Sequence, residues 1–256
     1  MSKESIIIIP VHNQLPFLIR CVESIIRMTK EFQLIIVDDG STDKETIRWI
    51  KDNEKPLNFV RIRNEVAKGF SKACNLGIDY AMEHYDFDCL CLLNSDTEIL
   101  TDDWFNKVSV HISPEAKIGV MGVMSDNALA QTVKNRDRYL AHIDKKPTVY
   151  CYIIHGFCYF ITRELIKTVG RFDSELFPHY GSEDDYSLKS IKAGFHNLLV
   201  GSVFVHHNNE TSYGKETRVS FIQNTVPALH KRWGKSYCDR CGNQAVAAGK
   251  YVNNKY

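Results

Sequence analysis

The 256-residue chain has no apolar run approaching the length of about 18 to 20 residues that a bilayer span requires. Its first apolar run, the four isoleucines Ile6 to Ile9 closed by Pro10, is too short for a signal-peptide core as well. The expectation is a cytosolic protein whose only membrane contact would be peripheral, at the inner face. An excess of one charge is missing too, since 32 Lys and Arg stand against 31 Asp and Glu for a net charge of +1. That balance excludes a nucleic-acid partner held by a basic field and leaves any anionic ligand to local residues. A paired cysteine framework is also lacking: of eight cysteines only Cys238 and Cys241 have metal-ligand spacing, with no second pair nearby. They read as reduced thiols in a C-terminal segment. The chain contains no G-x-G-x-x-G, no G-x-x-x-x-G-K, no G-x-S-x-G and no H-E-x-x-H. These absences remove the common dinucleotide, P-loop, serine-hydrolase and zinc-peptidase readings. No linker-like or repetitive stretch divides the chain, which is long enough to bury one substantial core.

What is present is an alternation of β-type runs and helical periods, the pattern of a mostly parallel sheet flanked by helices. Ser5 to Val11, Leu34 to Val37, Asn58 to Ile62 and Cys89 to Leu93 are predicted strands. Leu18, Cys21, Val22, Ile25 and Ile26 share one helical face, as do Phe70, Ala73, Cys74, Gly77, Ile78, Ala81 and Met82. Further on, Ile118 to Met124 and Val149 to Ile161 read as strands, and Ser182 to Gly194 and Glu216 to Trp233 as helices, the last broken near Pro227. Asp126 to Thr148 is polar and without period, a surface excursion.

Ligands of open α/β sheets bind beyond the carboxyl ends of the strands, and here those ends are polar. The first run is followed by Pro10-Val11-His12-Asn13, the second by Asp38-Asp39-Gly40-Ser41-Thr42-Asp43, the fourth by Asn94-Ser95-Asp96-Thr97-Glu98. Asp96 suits a divalent cation that bridges a diphosphate, though the same residues suit a turn and a helix cap. Asp39 suits the N–H edge of a nucleobase, while Asp38, Ser41 or Thr42 suffices to cap the next helix. Glu183-Asp184-Asp185 opens a helix, where the macrodipole favours acids but does not need three; one of them fits a general base. His206 and His207, after Leu198 to Val205, are either a polar strand exit or ligands of a metal or of phosphate.

Taken in order, these segments resemble the inverting glycosyltransferases of family two, which have the GT-A fold, over Ile6 to about Gly234. The resemblance also rests on Gly69-Phe70-Ser71-Lys72-Ala73-Cys74-Asn75, Gly156-Phe157-Cys158, Gly170-Arg171-Phe172-Asp173, Gly181 to Tyr186 and Arg232-Trp233-Gly234. It implies a nucleotide-sugar-binding half at 1–125, an acceptor and base half at 126–234, and a tail at 235–256. It places Pro10, His12, Asn13, Asp39, Asn64, Lys68, Asn94 and Ser95 at the nucleotide, and Asp96 and His207 at Mn2+ or Mg2+. His207 takes its alignment from Ser212-Tyr213-Gly214 downstream. Asn94 stands where the family's D-x-D motif begins with aspartate, so the metal site carries one formal charge fewer. A gapless match puts the base at Glu183 and the following acid at Asp185, whereas the literal Glu-Asp letters point to Asp184. The implied reaction moves a sugar from a nucleotide sugar, UDP- or dTDP-linked by preference, to a hydroxyl of a glycan, lipid-linked or other acceptor, with inversion. A role in bacterial surface-glycan synthesis follows from the branch resembled. The rival readings are a nucleotidyltransferase, which would need a glycine-rich basic loop after the first strand, and an inactive sugar-nucleotide-binding module.

Overall fold

The computed structural model describes residues 3–113, 115–209 and 215–255. Strand β1 (Ile6–Val11) leads through helix α1 (Leu15–Met28) to β2 (Gln33–Asp39), then α2 (Lys44–Asn53), β3 (Phe59–Asn64), α3 (Phe70–His84) and β4 (Cys89–Leu93). There follow β5 (Thr97–Ile99), α4 (Trp104–Ser109), β6 (Ile118–Ser125), α5 (Arg136–Leu140), β7 (Thr148–Tyr150), β8 (Cys158–Thr162) and α6 (Arg163–Val169). Helix α7 (Ser182–Lys192), β9 (His196–His207), α8 (Lys215–Trp233) and α9 (Lys235–Asn254) complete the chain.

The strands form one sheet in the order β3-β2-β1-β4-β8-β6-β9-β5, with β7 on β9. Pairing is parallel through β3-β2-β1-β4, as the alternating sequence predicts, and becomes mixed beyond β4, where β8 runs antiparallel to both β4 and β6. Period-two alternation sends successive side chains of each central strand to opposite faces. Ile6, Ile8, Ile35, Val37, Leu90 and Leu92 pack on one side with Ala73, Cys74 and Ile78 of α3. Ile7, Ile9, Leu34, Ile36, Cys89 and Cys91 pack on the other with Leu18, Cys21 and Ile25 of α1. A strand covered on both faces has no polar side, which is why β1 reads as unbroken isoleucine.

Four elements depart from the sequence reading. The predicted strand Val149 to Ile161 is two strands, β7 and β8, separated by a loop whose residues His155, Gly156 and Phe157 line the cleft described below. The Asp126 to Thr148 excursion is anchored: it carries α5, Tyr139 is buried and donates to Gly201 O at 2.6 Å, and Gln131 is buried and donates to Val123 O at 2.6 Å. Helix α8 runs through Pro227 without a break; Pro227 and Gln223 are both exposed, so the carbonyl that loses its partner faces water. The segment from 235 is not a loose tail but the 20-residue helix α9, which buries Cys241, Ala245, Ala248 and Val252. Lys146, itself buried, clamps its end by donating to Asn253 O at 3.1 Å and Lys255 O at 2.6 Å, a cation at a helix C-terminus. Among the described residues no helix is long and apolar enough to cross a membrane.

Candidate active site

A cleft of about 410 Å³ opens at the carboxyl edge of the sheet. Parallel pairing aligns the ends of β1 and β2, Val11 opposite Asp38, and carries Asp39 opposite Asn64 on β3. Antiparallel pairing of Leu93 with Cys158 brings the start of β8 to the same edge. Pairing of Thr97 with His207 does the same for β5 and β9. Residues distant in sequence therefore meet because of strand direction.

On the β1–β2 side, Asp38 and Asp39 have separate tasks. Asp38 is ion-paired with Arg63 and accepts from Ser41 N at 2.8 Å. The cap of α2 is neither of them, nor Ser41 or Thr42, but Asp43, which accepts from Glu45 N and Thr46 N. Asp39 lines the cleft and is only 3% exposed. It accepts from Asn64 Nδ2 at 2.8 Å, Lys68 N at 2.9 Å and Gly69 N at 2.8 Å. A carboxylate has about four acceptor sites, so one remains, on Oδ2, for a ligand donor. His12 Nδ1 contacts Asp39 O at 2.8 Å. Asn13 works one layer out: its Oδ1 accepts from Thr42 N and Asp43 N, each at 2.9 Å, which ties the β1 end to the β2–α2 loop. Lys68 has an exposed side chain that does not line the cleft, and it meets Asp39 through its backbone N–H.

At the β4 end, Asn94-Ser95-Asp96 turns directly into β5 and no helix begins there, so the helix-cap alternative for Asp96 falls. Asn94 Oδ1 is buried without a hydrogen-bond partner among the described residues. Asp96 Oδ1 lies 3.5 Å from His207 Nε2. His207 Nδ1 lies 2.8 Å from Asn127 O, an acceptor only, so Nδ1 carries a proton and Nε2 is the nitrogen that faces Asp96. Two ligands of one small cation at right angles would stand about 3 Å apart, close to this separation. The pair therefore fits a divalent cation, with Asn94 Oδ1 as a further oxygen in the same cleft. No group of three protein ligands occurs among the described residues, which leaves most coordination positions to phosphate oxygens and water. His206 does not line the cleft, and its Nδ1 is 2.6 Å from Asp126 Oδ2.

The acid motif opens α7 behind Gly181, whose φ of 80° is left-handed and whose added Cβ would lie 2.3 Å from Thr225 Cγ2. Glu183 lines the cleft and accepts from Ser182 Oγ at 3.0 Å. Gly156 presses on it so closely that a Cβ would stand 3.1 Å from Glu183 Cδ and Oε1. Burial raises the Glu183 pKa above the usual carboxylate range. Asp184, also in the cleft wall, is pushed up to about 7 by burial and then by its charged neighbours Glu183 and Asp185. Asp185 is fully buried and does not line the cleft. It accepts from Arg232 at 3.0 Å and from Trp233 Nε1 at 2.9 Å, and pairs with Lys189 at 2.7 Å. Its placement among the catalytic acids is thus corrected: Asp185 locks the end of α8 under α7. Removing one partner of such a buried pair costs about 3–5 kcal/mol, so Asp185→Ala is expected to lower the melting temperature by several degrees, measured by thermal denaturation.

The pattern described as Glycosyl transferase family 2 matches residues 6–170, well over half of the chain. The chain belongs to that family. The protein y4gI of Sinorhizobium fredii is 24% identical over 89% of this chain, which spans 27% of that protein. A family relative in Streptococcus pneumoniae, the glycosyltransferase GlyG, is 33% identical over 33% of this chain and 29% of its own length. The chain thus spans less than a third of these relatives. Among solved structures, the mannosyltransferase PcManGT of Pyrobaculum calidifontis, in complex with GDP-Man and Mn2+, superposes with a TM-score of 0.67 at 16% identity, covering 98% of this chain and 74% of its own. GalNAc-T7 with UDP, GalNAc and Mn2+ gives a TM-score of 0.70 at 19% identity, over 93% and 49% of the two chains. These likenesses establish the GT-A fold of this family-2 chain.

The cleft brings together Pro10, His12, Asp39, Asn94, Ser95, Asp96, Glu183, Asp184 and His207, and leaves Asn13, Asn64, Lys68 and Asp185 outside its lining. Ser212-Tyr213-Gly214, the alignment marks for His207, lie outside the described residues. The cleft also contains His155, which sequence reasoning missed. Its Nε2 is buried without a partner among the described residues, and burial lowers its pKa to about 4, so the ring is neutral. Its one sequence signal was adjacency to Gly156. Phe157, stacked on His207 at 5.3 Å, entered the sequence reading only within Gly156-Phe157-Cys158.

Proposed function

We propose that the chain is a metal-dependent inverting glycosyltransferase that moves a sugar from a nucleotide-sugar donor to an acceptor hydroxyl. The observation that carries this reading is the joining of Asp39, the Asp96–His207 pair and the acid motif in one cleft. Asp39 receives the N–H edge of the base on its remaining acceptor site, with Pro10 and His12 beside it. A uracil or thymine ring offers one such N–H, which favours UDP- or dTDP-sugars. Asn94 Oδ1, buried and unpartnered, accepts from a ribose hydroxyl. Asp96 and His207 Nε2 would hold manganese or magnesium, and the mixed carboxylate and imidazole set favours manganese. Held there, the cation would supply charge neutralisation for the departing diphosphate. Glu183 accepts the proton of the acceptor hydroxyl as the new bond forms; burial makes its carboxylate a stronger base than an exposed one. With one carboxylate of the acid motif acting as base and the acceptor oxygen displacing the diphosphate directly, the anomeric configuration inverts. The Mn2+ in the complexes of PcManGT and GalNAc-T7 supports this metal assignment. Surface-glycan synthesis in a bacterial cytoplasm, at the membrane's inner face, is the setting we infer.

The base-reading role is tested at Asp39. Losing a charge-assisted hydrogen bond costs about 1.5–3 kcal/mol, so Asp39→Asn is expected to weaken nucleoside diphosphate affinity by roughly 10- to 100-fold by calorimetry. Asp39 also anchors three donors of the 64–69 segment, so Asp39→Ala will in addition lower thermal stability. Unchanged affinity in folded Asp39→Asn would remove Asp39 from the nucleotide site.

A further inference from the structure

A second cavity, of about 460 Å³, lies among α7, α8 and α9. Asp184, Val226 and Leu229 line both this cavity and the cleft, so the two spaces meet at the acid motif. Its lining combines apolar Ile153 and Leu188 with polar His230, Asp239 and Asn243, and among the described residues it contains no lysine or arginine. Lys235, one turn before Asp239 on α9, is paired with that carboxylate at 2.6 Å.

Gly242 also lines this cavity, from the interior of α9. Glycine is the poorest interior helix former after proline, so its presence calls for a reason. Left-handed backbone is not the reason, because Gly242 has no positive φ. Crowding is not the reason either, because a Cβ there meets nothing within 4 Å. Gly249, seven residues on, shows the contrast: its Cβ would lie 1.7 Å from Ala130 O. A side chain at position 242 would therefore project into open space at the cavity wall.

We propose that this cavity is the acceptor subsite and that it takes the neutral, hydroxyl-rich part of a saccharide, not a phosphate-bearing or otherwise anionic group. The proposal rests on the reading of the chain as a glycosyltransferase with its base in the acid motif. An acceptor seated there reaches that motif through the shared wall at Asp184. The carboxylates of Asp184 and Asp239 and the Asn243 amide can pair with sugar hydroxyls, while Ile153, Leu188 and Leu229 pack on the apolar face of a ring. An anion would find no lysine or arginine in the lining to offset its loss of water, and the acidic side chains there are placed to accept hydrogen bonds from hydroxyls.

The test uses Gly242→Phe, whose ring fills the cavity, and Gly242→Ala, whose methyl group does not. Saturation-transfer NMR with the full chain, UDP and Mn2+ present, compares neutral methyl hexosides and short neutral oligosaccharides with methyl glucuronides and hexose 6-phosphates. The expected result is binding of neutral saccharides to wild type and Gly242→Ala, at least about tenfold weaker binding of the anionic set, and at least about tenfold loss in Gly242→Phe. Calorimetric UDP affinity is expected to agree within about twofold among the three proteins. Neutral saccharides that bind Gly242→Phe unimpaired, anionic ones that bind as well as neutral ones, or no neutral saccharide binding to wild type would each overturn the proposal. Failure of wild type to bind any nucleoside diphosphate would strike the transferase reading instead, whatever the saccharides do.

Discussion

Glu183→Gln is expected to lower sugar transfer by roughly 100-fold or more, with nucleoside diphosphate affinity nearly unchanged. The amide keeps the shape of the side chain beside Gly156 and can still accept from Ser182 Oγ, but it cannot take a proton. Asp184→Asn is the partner experiment, since Asp184 lines the same wall and its carboxyl is pushed up to about 7. A larger loss in Asp184→Asn than in Glu183→Gln would move the base by one residue; full activity in both would place it outside the acid motif. The pH profile carries the same information. A base works only when ionised, and burial raises both carboxyls, so transfer is expected to fall as the pH drops through the raised pKa, at higher pH than for an exposed carboxylate. In Glu183→Gln that acid limb should disappear from the residual rate.

Asp96→Ala is the second large effect. It removes one of the two side chains proposed to hold the cation, so transfer should fall by at least about 100-fold and manganese should no longer strengthen nucleotide binding. The fold should survive, because Asp96 contributes to it through its backbone carbonyl, which accepts from Asn208 N and Nδ2 at 3.0 Å each. His207→Ala should act in the same direction. Excess manganese is expected to recover part of the activity there, where the carboxylate remains. Activity that is equal in EDTA and in manganese for wild type would remove the metal from the mechanism.

The parallel half of the sheet was legible because two local rules agree in it. Strands buried on both faces read as β-branched runs, and the polar residues at their ends are where an open sheet puts its ligands. Asp39 and Asp96 follow from that pattern, whereas Pro10 and Asn94 took their nucleotide roles from the motif resemblance. Glu183, Asp184 and His207 were candidates by residue type, and the resemblance chose among them; antiparallel pairing and the Gly181 turn bring them to the cleft. Asp185 misled because an acid beside two cleft acids looks alike in sequence, while one further step around the helix points it at Arg232 and Trp233. His155 stayed hidden because the loop between β7 and β8 was absorbed into one long apolar run, where a lone histidine has no period to mark it. The anchoring of α9 was invisible for a similar reason: the hydrogen bonds of Lys146 that hold its end reach across more than 100 positions.

The central claim, metal-assisted binding of a nucleotide-sugar donor in this cleft, is tested most directly by thermal denaturation with UDP, dTDP and GDP, in manganese and in EDTA. A ligand at about 100 times its dissociation constant adds about 2.7 kcal/mol, roughly 5–10 °C for a chain of this size. The account predicts a shift of that order for at least one nucleoside diphosphate in manganese, most of it lost in EDTA and in Asp96→Ala; no shift with any of the three, or equal shifts with and without metal, would contradict it.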